Sequence, residues 1–172
     1  MPDLPLILTG FMGSGKSSVG KLLAHRLGLA FVDLDEVIVT AAGKSINRIF
    51  TEDGETAFRE LESIALAGVL KNGKGIIATG GGVVLSESNR KLMSSHGIVI
   101  NLMVSLSQVL ERLAYSVDRP LFKGQSAPEH VSNLMKERER FYAESDIKID
   151  TNEKSVEDVV VEILCLLKRL TA

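Results

Sequence analysis

The sequence of 172 residues has a single cysteine, Cys165, and no apolar run long enough to cross a bilayer. One cysteine excludes an intramolecular disulfide framework and a cysteine-based metal site. Because Cys165 lies in the apolar helical stretch VVVEILCLLKRL, we expect it to be a buried packing group without a chemical role. No basic segment precedes the first apolar run, so we expect no signal or transit peptide and a soluble, cytoplasmic protein.

A concentration of basic residues is also missing. The formal net charge is −2, and Lys and Arg are scattered among Asp and Glu. Nucleic acids and anionic membranes usually bind a basic stripe or patch, so neither is an expected partner. Hydrophobic residues make up 45% and charged residues 24%, which is ordinary globular usage, and this length suits one domain. The composition indicates no large exposed apolar patch, which favours a monomer.

Short apolar runs alternate with amphipathic stretches, and no internal repeat or low-complexity tract interrupts them. Strands are predicted at LPLILTG, AFVDLD, GIIAT, HGIVINLMV and SDIKID. Helices are predicted directly after the first strand, across residues 36–74 with breaks near Gly43 and Gly54, at SLSQVLERLAYS, from Pro128, and after the last strand. This alternation predicts an α/β fold in which helices cover both faces of a parallel sheet.

The stretch GFMGSGKSS, residues 10–18, is the strongest motif. Gly10, Gly15, Lys16 and Ser17 fit the pattern G-x-x-x-x-G-K-[ST] between a predicted strand and a predicted helix. The glycines let successive backbone N–H groups turn towards phosphate oxygens, and the helix N-terminus adds the positive end of its dipole. Lys16 can then reach the β- and γ-phosphates, and the Ser17 hydroxyl can ligate Mg²⁺. The motif predicts a nucleoside triphosphate site but does not separate motor, switch and kinase.

Two further absences narrow the class of nucleotide-binding protein. No guanine-reading N-K-x-D segment is present, and the third predicted strand ends in Thr79 and glycines where an ATPase motor carries an acidic residue. Asp33 and Asp35, at the end of the second predicted strand, can instead converge on one face beside the loop. One carboxylate would join the Mg²⁺ shell, and the other would orient or deprotonate an attacking hydroxyl. The alternative is that Asp35 only caps the next helix.

Two connections could also contribute to a site. Gly80, Gly81 and Gly82 follow the third predicted strand, where ligands of open α/β sheets bind, and their bare backbone would let a small polyol approach closely. A plain turn is the alternative. The polar segment VDRPLFKGQSAPEH, residues 117–130, is long for a connection in a compact domain. It is either a lid or a passive surface loop.

Taken together, GFMGSGKSSVG, FVDLDEVI, SINRIFTEDGETAFRELE, ATGGGVV, DRPLF and ERERFY resemble the shikimate kinase family, over essentially the whole chain. The resemblance implies an α/β P-loop kinase with a five-stranded parallel sheet. The core would be residues 1–33, 63–112 and 127–172, the small helical substrate-binding insert residues 34–62, and the lid residues 113–126.

The reaction implied is transfer of the γ-phosphate of ATP, with Mg²⁺, to the 3-hydroxyl of shikimate, in the route to aromatic amino acids. The product would be shikimate 3-phosphate. Two alternatives stay open at this point. One is a related small-metabolite kinase such as a gluconate kinase, and the other is a non-catalytic nucleotide-binding protein of the same fold.

The resemblance also implies roles for individual residues. The catalytic residues would be Lys16, Asp35 and Arg119. ATP would contact Gly13, Ser14, Gly15, Lys16, Ser17, Ser18, Arg112 and Arg119. Shikimate would contact Asp35, Arg59, Gly80, Gly81, Gly82 and Arg138. Mg²⁺ would be held by Ser17 and Asp33.

Some of these positions have competing interpretations. Arg59 and Arg138 would clamp the substrate carboxylate, because a guanidinium fork matches a carboxylate bidentately. Arg140 competes with Arg138, and Arg59 would otherwise be a surface residue paired with Glu55 or Glu62. Arg112 would stack on adenine or lie solvated on its helix. The adenine-side loop TNEKSVED leaves the contacts to the base open. The apolar wall of the pocket would be formed by Phe50 and Phe58, which core packing explains equally well.

Overall fold

The computed structural model describes residues 4–71, 73–114 and 128–170. A five-stranded parallel sheet lies at its centre, with the strand order β2-β3-β1-β4-β5. The strands are β1 Leu6–Thr9, β2 Phe31–Asp33, β3 Ile76–Ala78, β4 Ile98–Met103 and β5 Ile147–Asp150. The helices are α1 Lys16–Leu27, α2 Leu34–Ala42, α3 Ile46–Glu52, α4 Gly54–Lys71, α5 Glu87–His96, α6 Leu106–Ala114, α7 Pro128–Tyr142 and α8 Val156–Leu170, and a 3₁₀ turn spans Val83–Leu85.

The central strand β1 is paired on both sides, Leu6 with Ile76 of β3 and with Ile98 of β4. Because all the pairings are parallel, the carboxyl ends of the strands meet at one edge of the sheet. The predicted α/β fold with five parallel strands is therefore confirmed. Any site built at the strand ends is built on this edge.

Two apolar clusters cover the two faces of the sheet. Side chains alternate along a strand, so Ile7 joins the cluster that includes Leu66 of α4, whereas Leu6 and Leu8 join the cluster that includes Ile163 of α8. Both clusters consist of fully or nearly fully buried side chains. The predicted covering of both faces by helices is confirmed.

Glycines divide the helical region after β2. Gly43, the C-cap of α2 at φ 65°, and Gly54, the first residue of α4 at φ 86°, adopt left-handed backbone conformations that other residues rarely adopt. They separate α2, α3 and α4. The predicted breaks near these two glycines are confirmed. The predicted insert, residues 34–62, covers α2, α3 and the first half of α4, while the predicted lid, residues 113–126, lies almost entirely outside the described residues.

The prediction that Cys165 is buried is wrong. On α8 the buried face carries Val159, Val160, Ile163 and Leu167, and Cys165 lies two residues from the nearest of them on the exposed side. A helix turns 100° per residue, so residues two apart point to nearly opposite sides even within an apolar stretch. The polar helix α5 was also missed, although Ser86 caps it by accepting a hydrogen bond from Asn89 N. None of the described helices combines the length and the apolar character that a membrane span requires.

Candidate active site

The loop between β1 and α1 has the geometry that its glycines predict. Gly10, Gly13 and Gly15 have φ values of 142°, 76° and 90°, and Gly15 caps the N-terminus of α1. A Cβ at Gly10 would lie only 2.8 Å from the Ser14 hydroxyl oxygen, so a side chain has no room there. The loop therefore needs glycine both for its conformation and for its close packing.

The functional groups of the loop are held by short contacts. Lys16 Nζ donates hydrogen bonds to the Gly10 and Phe11 carbonyl oxygens, at 2.9 and 3.0 Å. The Ser17 hydroxyl donates to Asp33 Oδ2 at 2.6 Å. The phosphate loop is thus joined to the end of β2 through the two residues predicted to hold the metal.

The predicted strand arrangement of Asp33 and Asp35 is wrong. Strand β2 ends at Asp33, which is the N-cap of α2 and accepts a 3.1 Å hydrogen bond from Asp35 N through Oδ1. Asp35 lies in the first turn of that helix. The two aspartates are therefore not alternate residues of one strand, and the residue that caps the helix is Asp33 and not Asp35. Asp35 still faces the glycine turn, because its Oδ1 lies 3.2 Å from where a Cβ of Gly80 would be.

Arg59 of α4 is held by two carboxylates. Its Nη1 donates to Glu62 Oε2 at 2.8 Å and its Nη2 to Glu55 Oε1 at 3.2 Å, so the predicted surface pairs form with both candidates. The two partners differ in burial, because the Glu62 side chain is 1% exposed and that of Glu55 is 60% exposed. Burial raises the pKa of the Glu62 carboxyl above its ordinary value, and the attraction of Arg59 only partly opposes this.

Arg138 and Tyr142 of α7 face the glycine turn from the other side. Both donate to the Gly81 carbonyl oxygen, Arg138 through Nη1 at 3.4 Å and Tyr142 through its hydroxyl. Arg138 is 6% exposed, and its guanidinium carbon Cζ lies 5.8 Å from the centre of the Phe11 ring. Arg140, its competitor for the clamp, is exposed and stacks on Phe141 instead.

The cavity at this edge of the sheet has a volume of about 870 Å³. It brings together every predicted site residue within the described part of the chain: Gly13, Ser14, Gly15, Lys16, Ser17, Ser18, Asp33, Asp35, Arg59, Gly80, Gly81, Gly82, Arg112 and Arg138. Arg119 lies outside the described residues. Phe50 and Phe58 also line the cavity, with ring centres 4.6 Å apart.

The end of the cavity near α6 and α8 is lined by a different set of groups. Arg112 donates hydrogen bonds to the Gly13 carbonyl oxygen and to Gln108 Oε1, so it lies against the phosphate loop. Lys154, which also lines the cavity, pairs with Glu162 at 2.6 Å. This end of the cavity is thus formed by α6 and by the loop that follows β5.

Glu62, which lines the cavity, and Tyr142, which bonds to the glycine turn, are buried residues that were given no role at the sequence level. Glu62 stands three residues after Arg59 and Tyr142 four residues after Arg138, which places each pair on one face of a helix. That spacing was the signal in the sequence that could have linked Glu62 to Arg59 and Tyr142 to Arg138. The sequence alone does not tell that these side chains are buried.

The oxygen donors of the site fit Mg²⁺. Among the described residues, no three His, Cys, Asp or Glu side chains are grouped as a metal site. Mg²⁺ in phosphoryl-transfer sites is held by one or two protein oxygens, and phosphates and water complete its shell. The Ser17 hydroxyl and the Asp33 carboxylate, 2.6 Å apart, provide that partial set.

The family model described as shikimate kinase matches residues 12–168. The chain belongs to the shikimate kinase family. A curated shikimate kinase from Geobacter metallireducens is 51% identical over 158 residues, which is 92% of this chain and 88% of the relative. Members of this family are ATP-dependent kinases, so the chain is a transferase with ATP as co-substrate.

Solved structures of the shikimate kinase family have the same fold. The shikimate kinase from Acinetobacter baumannii in complex with shikimate superposes with a TM-score of 0.93 at 32% identity, over 96% of this chain and 93% of that one. The shikimate kinase from Aquifex aeolicus has a TM-score of 0.84 at 38% identity, over 96% of both chains. The fold and family predicted from the motifs are therefore confirmed.

Proposed function

We propose that the protein transfers the γ-phosphate of ATP to the 3-hydroxyl of shikimate, giving shikimate 3-phosphate and ADP. The observation that carries this proposal is that Arg59 and Arg138 line the same cavity as Lys16 and Asp35. Two guanidinium groups suit a carboxylate acceptor, and the phosphate loop suits a nucleotide. The complex of the Acinetobacter baumannii relative with shikimate supports this choice of acceptor.

The phosphate loop would hold the triphosphate. The backbone N–H groups of Gly13 to Ser18 and the N-terminus of α1 offer positive partial charge, and Lys16 adds a full charge. Lys16 would exchange its contacts with the Gly10 and Phe11 carbonyl oxygens for phosphate oxygens. A triphosphate carries several negative charges, so this exchange is electrostatically favourable.

Asp35 would bind the acceptor and act on its hydroxyl. Its carboxylate lines the cavity beside Gly80, whose missing side chain makes room for the Asp35 and Glu62 carboxyls. Asp35 would accept a hydrogen bond from the attacking hydroxyl and take its proton as the oxygen attacks the γ-phosphorus. The bond from that phosphorus to the β,γ-bridging oxygen breaks, and ADP leaves.

Arg59 and Arg138 would hold the carboxylate of shikimate. They approach the cavity from α4 and α7, on either side of the glycine turn. Binding through two guanidinium groups fixes the ring as well as its charge, which orients one hydroxyl towards the phosphate. Phe50 and Phe58 would provide the apolar wall against the ring.

The Ser17 hydroxyl and the Asp33 carboxylate would hold Mg²⁺. The ion neutralises charge on the β- and γ-phosphate oxygens when it is bound. Arg112 would lie along the adenine, and Arg119 would neutralise charge on the transferring phosphate.

We further propose that the protein acts as a monomer in the cytoplasm, on free substrates and without nucleic acid or membrane.

A coupled assay of ADP release tests the acceptor. The purified protein, with ATP and Mg²⁺, is offered shikimate, gluconate or no acceptor. We expect turnover with shikimate alone. Turnover with gluconate would favour the related small-metabolite kinase, and nucleotide binding without turnover would favour a non-catalytic protein of this fold.

A further inference from the structure

The Gly81 carbonyl oxygen joins three parts of the site. It accepts hydrogen bonds from the Tyr142 hydroxyl and from Arg138 Nη1, both on α7. Behind it, a Cβ at Gly81 would lie 3.3 Å from Met12 N and 3.6 Å from the Gly10 carbonyl oxygen. The glycine turn is therefore packed between α7 and the phosphate loop.

The two donors to this carbonyl differ in strength and in what else they can do. The Tyr142 contact is short, whereas the Arg138 contact, at 3.4 Å, is long for a hydrogen bond. A carbonyl oxygen has two lone pairs, so it can satisfy both donors. A guanidinium carries five N–H donors, so Arg138 can contact the Gly81 carbonyl oxygen and the Tyr142 hydroxyl and still offer donors to an acceptor.

Tyr142 is suited to a permanent contact of this kind. Its residue is 8% exposed, and its ring belongs to the core cluster that α7 forms with the sheet. Burial raises the pKa of its hydroxyl to about 12, so the group stays protonated and remains a donor across the physiological pH range. Its hydroxyl donates to the Gly81 carbonyl oxygen and also contacts the Arg138 guanidinium, so it links α7 to the glycine turn.

We propose that Tyr142 is a positioning residue for the carboxylate of the acceptor. By donating to the Gly81 carbonyl oxygen, it leaves the Arg138 guanidinium available to the carboxylate and fixes α7 relative to the phosphate loop. Without the hydroxyl, the partly buried carbonyl would take a stronger hydrogen bond from Arg138 and draw the guanidinium away from the acceptor. This inference rests on the proposed function, because it assumes that Arg138 binds the carboxylate of shikimate.

The experiment compares the parent protein with Tyr142→Phe and Ile163→Val. Phe keeps the ring and removes the hydroxyl with its contacts to the Gly81 carbonyl oxygen and to Arg138. Ile163 is fully buried in the other core cluster, against α1 and the opposite face of the sheet, and loses one methylene in Ile163→Val. Each change costs about 1 kcal/mol of stability, so the two variants are matched in destabilisation. They differ in where the removed group lies, beside the glycine turn or in the other core cluster. Calorimetry measures the Kd of shikimate and, separately, the Kd of ADP, and thermal melts check the match.

The proposal predicts that Tyr142→Phe raises the Kd of shikimate about fivefold to tenfold and leaves the Kd of ADP within about twofold. Ile163→Val should leave both Kd values unchanged. An unchanged Kd of shikimate in Tyr142→Phe, or an equal weakening of both ligands, would overturn the inference and leave the proposed function standing. If the parent protein itself binds no shikimate, the proposed function and this inference are both wrong.

Discussion

Arg59 and Glu62 form an ion pair on the wall of the cavity, with 2.8 Å between Nη1 and Oε2. The carboxylate is almost fully buried, whereas the guanidinium is 23% exposed and also bonds to Glu55. Glu62 Oε1 and Arg59 Nε have no hydrogen-bond partner among the described residues. The pair therefore holds the guanidinium at the cavity while leaving part of its donor capacity unused.

The Arg59→Lys substitution tests whether this guanidinium binds the acceptor. Lysine keeps the charge but loses the planar fork, so we expect the KM of shikimate to rise about 30-fold, equivalent to about 2 kcal/mol. Arg48→Lys is the matched control, because Arg48 lies on the neighbouring helix α3, is exposed and pairs with Glu52. Steady-state kinetics should leave Arg48→Lys near the parent. An equal KM in all three proteins would contradict the role of Arg59.

The buried carboxyl of Glu62 predicts a pH dependence of stability. Burial raises its pKa in the native protein above the ordinary value of 4.5. Between the pKa of Glu62 in the unfolded state and its higher pKa in the native state, the native protein binds more protons than the unfolded one. The free energy of unfolding therefore falls as the pH rises through this window. Glu62→Gln removes this contribution.

Thermal melts of the parent and of Glu62→Gln, from pH 4 upward, measure the effect. We expect the difference between the Tm of Glu62→Gln and the Tm of the parent to shift in favour of Glu62→Gln as the pH rises above about 4.5, because only the parent must ionise a buried group. Glu55→Gln provides the exposed control and should show little change. A Tm difference that is constant with pH, or that shrinks as the pH rises, would contradict the prediction.

Gly82 is predicted to be required because of its neighbour and not because of its backbone conformation. Its φ of −100° and ψ of −4° are accessible to alanine, but a Cβ there would overlap the Arg59 guanidinium. Gly82→Ala should displace Arg59 and lower kcat/KM for shikimate by about tenfold or more. The control is Gly68→Ala on α4, where a Cβ meets nothing within 4 Å, and it should stabilise the protein by about 0.5–1 kcal/mol. Retained activity in Gly82→Ala would show that Arg59 is not needed at its present position.

Asp33→Asn separates the metal role of Asp33 from its capping role. Asparagine caps a helix as well as aspartate does, so the stability of α2 should change little. It has no negative charge, so the Mg²⁺ concentration for half-maximal activity should rise about tenfold or more. The measurement is a Mg²⁺ titration of ADP release, with a thermal melt beside it. The same Mg²⁺ requirement in both proteins would argue against Asp33 in the metal shell.

The phosphate loop could be predicted in detail because its pattern is local. Gly10 and Gly15 take positive φ values, 142° and 90°, for which glycine is needed, and Lys16 begins the helix. The strands were also found, since a parallel sheet buried on both faces requires continuous apolar runs. The identity of the family followed from several such motifs in order.

Other features depend on tertiary context that the sequence does not show. Strand β2 was extended to Asp35 because its alternation looks like a strand, but Asp33 caps a helix and ends the strand first. Glu62, Tyr142 and Cys165 were misjudged or passed over because burial depends on which helix face meets the sheet. The roles of the site residues, including Arg119 outside the described part of the chain, stay predictions.

The central claim is that Asp35 promotes transfer of phosphate to shikimate. The most direct measurement is the rate of ADP release by the parent and by Asp35→Asn, with and without saturating shikimate. We predict release by the parent only with shikimate, and a kcat lower by about 100-fold or more in Asp35→Asn, because a positioned base contributes that much. Equal kcat values in the two proteins, or release by the parent that does not depend on shikimate, would contradict the account.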